Sequence, residues 1–174
     1  MGSVPAAGRS FRRITNKDLR RLAELAVEQR AKFFERHSDW RRLYSTRVLC
    51  TALCQGAALH YANGNAGIND FDVYSFYASH PERRWHARTR SIRDFGDPKF
   101  GRSVDRPDFV GRRVDLMGRG IPANPRDNAI TAVQRYLVSD RPGTVRFLAG
   151  KAVVLIDPEQ WRGRVIWLAG KPVL

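Results

Sequence analysis

Long hydrophobic runs and cysteines are scarce in this chain of 174 residues, and each shortage excludes a class of protein. No stretch approaches the roughly 20 consecutive apolar residues that a transmembrane helix needs, so we predict no membrane partner. Cys50 and Cys54 are the only cysteines, and they lack the histidine spacing or second cysteine pair of a zinc site. We interpret them as buried thiols in a reducing compartment, which predicts a cytoplasmic protein.

The N-terminus also lacks the features of a targeting segment. Residues 1–11 have no apolar core long enough for a signal peptide, and their Gly, Ser, Pro and Ala content is typical of a flexible segment. We therefore predict a flexible leader over residues 1–14 and a single domain over residues 15–174. A domain of that length can bury a sufficient core without disulfides or a structural metal.

Acidic residues and lysines are both few relative to arginines. The chain has 17 Asp and Glu against 31 Lys and Arg, a net charge of +14, and only five of the 31 basic residues are lysines. The planar guanidinium of arginine pairs with phosphate through two hydrogen bonds, so the composition predicts a polyanionic partner. Arginine enrichment can also reflect coding bias, and a scattered basic surface binds nucleic acid weakly and in a salt-dependent way.

The periodicity of apolar residues predicts an α/β (α+β) domain. A capping pattern of Thr15 and Asp18 opens a helix that runs from Asn16 to about His37. A second helix is predicted from Asn124 through Leu137. Strands are predicted over 68–77, 112–117, 152–156 and 164–168, with residues 43–53 as a strand or the approach to one. We expect a mixed sheet of about four to five strands, packed by the two helices.

An acidic pair in the first of these strands is the main candidate for chemistry. Side chains alternate between the faces of a strand, so Asp70 and Asp72 should project from one face while Phe71 and Val73 enter the core. Asp115, between Val114 and Leu116, should project in the same way from a second strand. A bound divalent cation would turn the repulsion among these carboxylates into attraction, and magnesium prefers oxygen ligands. The alternative is that the pair only decorates an exposed strand edge.

These residues also carry a resemblance to a known family. Gly56-Ala57, then Asp70-Phe71-Asp72-Val73, then Val114-Asp115-Leu116 resembles the pattern of the polymerase β nucleotidyltransferase superfamily. In that family a Gly-Gly or Gly-Ser turn and a short helix precede a strand with an acid-x-acid pair, and a later strand carries one acid. The Gly56-Ala57-Ala58-Leu59 segment is most similar to the AbiEii-type group, which includes toxins of bacterial toxin–antitoxin systems.

The resemblance implies a set of roles. Asp70, Asp72 and Asp115 would bind two Mg²⁺ ions as the catalytic metal site, and Gly56 and Ala57 would let the backbone approach the phosphates of an NTP such as ATP. The chain departs from the family in having Ala57 where relatives have Gly or Ser, and in the long spacing between the second and third acids. Arg112 and Arg113 stand shortly before the third acid and are further candidates for nucleotide binding; the equal alternative is that they pair with the acids when no metal is present.

A basic insertion separates the two acid-bearing strands. Residues 79–110 are polar and rich in glycine and proline, which predicts a long loop or a short helical insertion. Arg83, Arg84, Arg88 and Arg90 are the candidates for nucleic-acid binding, with Trp85, Phe95 and Phe100 available for base stacking. Packing of these aromatics into the core is the equally plausible alternative.

Together, these features predict a magnesium-dependent nucleotidyltransferase that moves an NMP from an NTP to a hydroxyl of RNA, such as a tRNA end, or of a protein. The alternative is a catalytically inactive protein of the same fold that binds nucleic acid, because Ala57 removes a hydroxyl that many relatives use.

Overall fold

The computed structural model describes residues 8–85, 90–139 and 144–174. The helices are α1 (Asn16–Arg36), α2 (Ser38–Tyr44), α3 (Gln55–Asn63), α4 (Ala129–Leu137) and α5 (Thr144–Ala149). The strands are β1 (Val48–Cys54), β2 (Phe71–Ala78), β3 (Arg90–Asp94), β4 (Arg113–Ile121), β5 (Ala152–Asp157), β6 (Val165–Leu168) and β7 (Lys171–Pro172). Together they form a mixed α/β domain, as the sequence predicts.

All seven of these strands belong to one sheet in the order β3-β4-β2-β1-β5-β6-β7. Strand β2 pairs in parallel with β4, and the other neighbours pair antiparallel. Helices α1 and α3 pack on one face of the sheet and α4 and α5 on the other, each pair over its own hydrophobic cluster. The mixed sheet thus places β2 and β4, the two strands that carry the acids, side by side.

Helix α1 has the N-terminal cap that the sequence predicts. The Thr15 side chain accepts a hydrogen bond from the backbone of Asp18, and the Asp18 carboxylate accepts one from the backbone of Thr15. Asp18 is also paired with Lys99, whose Nζ lies 2.6 Å from Oδ2. This ion pair links the N-terminus of α1 to the segment between β3 and β4. Helix α1 lies on the face of the sheet opposite to that of α4. None of the described helices is both long enough and apolar enough to cross a membrane.

Several boundaries differ from the sequence predictions. Residues 38–44 form α2, so the strand predicted over 43–53 begins at Val48. Helix α4 is capped by Asn128, whose side chain accepts a hydrogen bond from Thr131 N, whereas Asn124 lies in the turn before it. The short edge strands β3 and β7 raise the strand number above the four to five expected.

The basic insertion and the leader also contain ordered structure. Strand β3 lies within the insertion and pairs with β4, so these residues are more than the predicted loop or short helix. In the leader, Ser10 and Ile68 exchange backbone hydrogen bonds of 2.9 and 2.7 Å, and Ile14 is buried. Residues 1–7 lie outside the described residues.

A close contact between β4 and Trp85 gives a test of the packing. A Cβ added at Gly118 would lie 2.5 Å from Trp85 Nε1, and Trp85 is buried against Tyr77 with ring centroids 4.2 Å apart. Because the ring is held on its other face, we expect Gly118→Ala to lower the free energy of unfolding by about 1–3 kcal/mol. Gly8→Ala is the matched control, since its Cβ would meet nothing within 4 Å. Equal urea midpoints for the two variants would contradict the packing.

Candidate metal centre

Three carboxylates converge at one end of the sheet. One belongs to β2, one to β4, and one to the residue that directly precedes β2. Asp72 of β2 lies directly beside Asp115 of β4 in the parallel ladder, and Asp70 stands two residues before Asp72. One oxygen from each carboxylate lies within 4.8 Å of those from the other two. We call Asp70, Asp72 and Asp115 the acid trio. It could hold a metal ion, as the sequence predicts.

The electrostatics of the acid trio favour a bound cation. Asp115 is only 1% exposed, and its buried Oδ2 accepts no hydrogen bond from the described residues. Burial, together with the charges of Asp70 and Asp115, raises the pKa of Asp72 to about 7. A cation among these oxygens would offset both the burial and the repulsion. A donor set made only of carboxylate oxygens suits a hard ion such as Mg²⁺ or Mn²⁺.

The raised pKa of Asp72 predicts a pH dependence of stability in protein treated with a chelator. Between its ordinary value of 3.8 and about 7, the folded state binds more protons at this site than the unfolded state does. Its contribution to the free energy of unfolding therefore falls as the pH rises through this window, by up to about 4 kcal/mol. Asp72→Asn should flatten the curve between pH 4 and 8, measured from urea midpoints. Parallel curves for wild type and variant would contradict the assignment.

Two arginines contact the acid trio. Arg113 Nη2 lies 2.9 Å from Asp70 Oδ2 and 3.2 Å from Asp115 Oδ2, and Arg90 Nη2 lies 3.0 Å from Asp115 Oδ1. Arg113 also pairs through Nη1 with Asp105. Burial lowers the pKa of Arg113, but Asp115, Asp70 and Asp105 outweigh it and the net effect is a raised pKa. Arg113 therefore stays charged and partly neutralises the acids.

The start of α3 lies next to the acid trio. Cys54, the last residue of β1, pairs with Asp72 on one side and with Val153 of β5 on the other. In the part of the chain that the structure describes, no side chain caps the first turn of α3, which begins at Gln55 and includes Gly56 and Ala57. The Ala57 side chain is buried in the core, so its side chain faces away from solvent and only its backbone is suited to a ligand. The predicted role of this turn through backbone groups is compatible with the fold.

One cation at this turn was missed by the sequence reasoning. A Cβ added at Gly56 would lie 3.9 Å from Lys151 Nζ, so the exposed Lys151 side chain lies over the turn. Lys151 directly precedes β5, and nothing in its local sequence indicates a site. Only the pairing of β1 with β5 brings it there.

Arg112 does not fit its predicted nucleotide-binding role. Its side chain is 2% exposed, and its guanidinium donates to the carbonyls of Phe100, Asn69 and Gly8. Burial lowers its pKa. Arg112 and Arg113 are neighbours at the start of β4 and point to opposite faces, so that Arg113 shares the face of Asp115 and Arg112 does not. The period of two along a strand could have predicted this division.

The four arginines predicted to bind nucleic acid have different surroundings. Arg83 and Arg84 are exposed, with the Arg83 guanidinium 4.4 Å from the Trp40 ring centroid. Arg90 belongs to the acid site, and Arg88 lies outside the described residues. The aromatics of the insertion are not available for base stacking, because Trp85, Phe95 and Phe100 are buried.

Comparisons with known proteins add no family to these observations. No protein-family model matches the chain, and neither does any curated protein or solved structure. The resemblance to nucleotidyltransferases therefore rests only on the sequence pattern around Asp70, Asp72 and Asp115.

Proposed function

We propose that this chain is a cytoplasmic, magnesium-dependent nucleotidyltransferase that transfers an NMP from an NTP, such as ATP, to a hydroxyl acceptor and releases pyrophosphate. The observation that carries the proposal is the convergence of the acid trio beside the uncapped first turn of α3. Carboxylates next to a phosphate-binding helix start are what phosphoryl transfer requires, because the reaction needs positioning and charge neutralisation above all.

In this proposal the acid trio would bind the metal, and the first turn of α3 would bind the phosphates. Asp70, Asp72 and Asp115 would hold Mg²⁺, and the resemblance implies two such ions. Such ions lower the pKa of an attacking hydroxyl and neutralise charge on the triphosphate and its leaving pyrophosphate. The backbone N–H groups of Gly56 and Ala57 would bind phosphate oxygens, with Lys151 above them.

The net charge of the chain favours RNA as the acceptor. A charge of +14 with arginine in large excess supports binding of a polyanion, and exposed Arg83 and Arg84 add to that surface. A protein hydroxyl is the other acceptor class, in keeping with the resemblance to toxin–antitoxin enzymes.

Calorimetric titration of ATP with Mg²⁺ tests the site directly. We expect wild type to bind and Asp70→Asn/Asp72→Asn to lose at least about tenfold in affinity, because two of the three carboxylates lose their charge. Asp108→Asn is the matched control, as its exposed carboxylate pairs with Arg106 away from the trio. Equal affinity in the double variant and wild type would sink the proposal.

One observation favours a second candidate, a non-catalytic nucleic-acid-binding protein. Arg113 and Arg90 already neutralise the acid trio, as they would in a fold that has lost its metal. Incubation with radiolabelled NTPs and total RNA separates the two candidates. Incorporation of label supports the transferase, whereas retention of RNA without incorporation supports the binding protein.

A further inference from the structure

The position of Arg113 conflicts with a metal ion in the acid trio. Its Nη2 atom donates a hydrogen bond of 2.9 Å to Asp70 Oδ2 and forms an ion pair with Asp115 Oδ2 at 3.2 Å, without hydrogen-bond geometry. An ion ligated by those two oxygens would have to stand about 2.1 Å from each, in space that the guanidinium now borders. Two cations held against the same pair of carboxylates repel each other, so Arg113 opposes metal loading, and loading is favoured when its guanidinium moves off at least one acid.

Asp105 offers Arg113 an alternative partner. It lies in the loop between β3 and β4, its side chain is 56% exposed, and it already pairs with Nη1 of Arg113. A cavity of about 220 Å³, lined by Asp70, Asp105 and Arg113 among others, opens beside this contact. The guanidinium therefore has a second charged partner in Asp105, and free volume beside that contact in a cavity that also reaches Asp70.

From this geometry we infer that Arg113 is an internal cation that competes with metal for the acid trio, and that Asp105 is a positioning residue that draws it away when metal binds. The inference rests on the proposed metal site and adds a determinant of its affinity. Asp105 touches neither substrate nor metal in this arrangement. It acts only through Arg113, and that restriction makes its role testable.

Binding of Mn²⁺ alone, followed by the electron paramagnetic resonance signal of the free ion, gives the readout. We expect Arg113→Gln to bind Mn²⁺ about tenfold more tightly than wild type, because the competing charge is gone. Asp105→Asn should bind it about threefold to tenfold more weakly, because Arg113 then has only the acids as partners. Arg106→Gln, which breaks an exposed pair in the same loop, should match wild type.

The double variant decides between positioning and simple electrostatics. If Asp105 acts through Arg113, Asp105→Asn should have no effect in an Arg113→Gln background, whereas a general field effect would weaken binding equally in both backgrounds. Equal weakening overturns the positioning role. Unchanged or weaker binding by Arg113→Gln, with circular dichroism confirming its fold, overturns the competition.

Failure of the metal site itself gives a different pattern. Absence of Mn²⁺ binding in every variant, Arg113→Gln included, would overturn both the inference and the proposed function. Binding that survives in Asp115→Asn at wild-type affinity would place the ion elsewhere. Binding that is lost in Asp115→Asn but unaltered in Arg113→Gln would leave the proposed function intact and overturn this inference alone.

Discussion

Asp115→Asn is expected, under the proposed function, to lower the rate of NMP transfer by roughly a thousandfold or more, about 4 kcal/mol in the activation free energy. Asp115 is the most buried of the acid trio and stands directly beside Asp72 in the parallel ladder. Asparagine keeps the shape of the side chain but removes the charge, so the metal would lose the ligand that links the two strands. The measurement is the initial rate of label transfer from radiolabelled NTPs to total RNA.

The same substitution should not unfold the protein. Removing the Asp115 charge relieves the repulsion that, after burial, helps to raise the pKa of Asp72, but it also removes the ion pairs of Asp115 with Arg90 and Arg113. Because the two effects on stability at pH 8 oppose each other, we expect the variant to remain folded, as circular dichroism would show. Asp108→Asn controls for loss of a carboxylate elsewhere. Full transfer activity in folded Asp115→Asn would refute the assigned role.

Arg112→Met is expected to give the largest loss of stability, about 3–5 kcal/mol in the free energy of unfolding. The buried guanidinium donates to carbonyls of three separate segments, at Phe100, Asn69 and Gly8. Methionine fills much of the same volume but leaves these acceptors without their donor. Because Asn69 precedes Asp70, the loss should also disturb the acid trio.

Two further variants separate hydrogen bonding from charge at this position. Arg112→Lys keeps the charge, yet a single ammonium lacks the planar fork and should recover only part of the stability. Arg102→Met in the same loop removes an exposed guanidinium with one hydrogen bond, to Pro107 at 3.3 Å, and should cost less than about 0.5 kcal/mol. Similar urea midpoints for Arg112→Met and Arg102→Met would contradict the structural role of Arg112.

Local patterns of the sequence predict much of this fold. The Thr15–Asp18 capping pattern locates the start of α1, and alternation in Asp70-Phe71-Asp72-Val73 correctly predicts that Phe71 and Val73 enter the core. Strands β5 and β6 lie within a residue of the predicted bounds. In each case a few consecutive residues are enough for the prediction, because their own backbone and side-chain preferences determine the local structure.

Elements stabilised by distant contacts were not predicted. Strand β3 is polar and half-exposed, and it becomes a strand because it pairs with β4. Helix α2 was not predicted because β-branched residues follow it closely and favour a strand. Asn124-Pro125 has the sequence of a helix N-cap, but Asn128 is the residue that caps α4. The contact of Arg113 with Asp105 depends on how the loop before β4 folds, which no local pattern records.

The two rims of the sheet limit how copies of this chain could join. One rim is β3, where Arg90 and Arg93 would bring like charges together if a second β3 docked against it. The other rim is β7, only two residues long, and its Pro172 has no N–H to offer an incoming strand. Fibril growth or dimerisation by strand addition is therefore disfavoured at both rims.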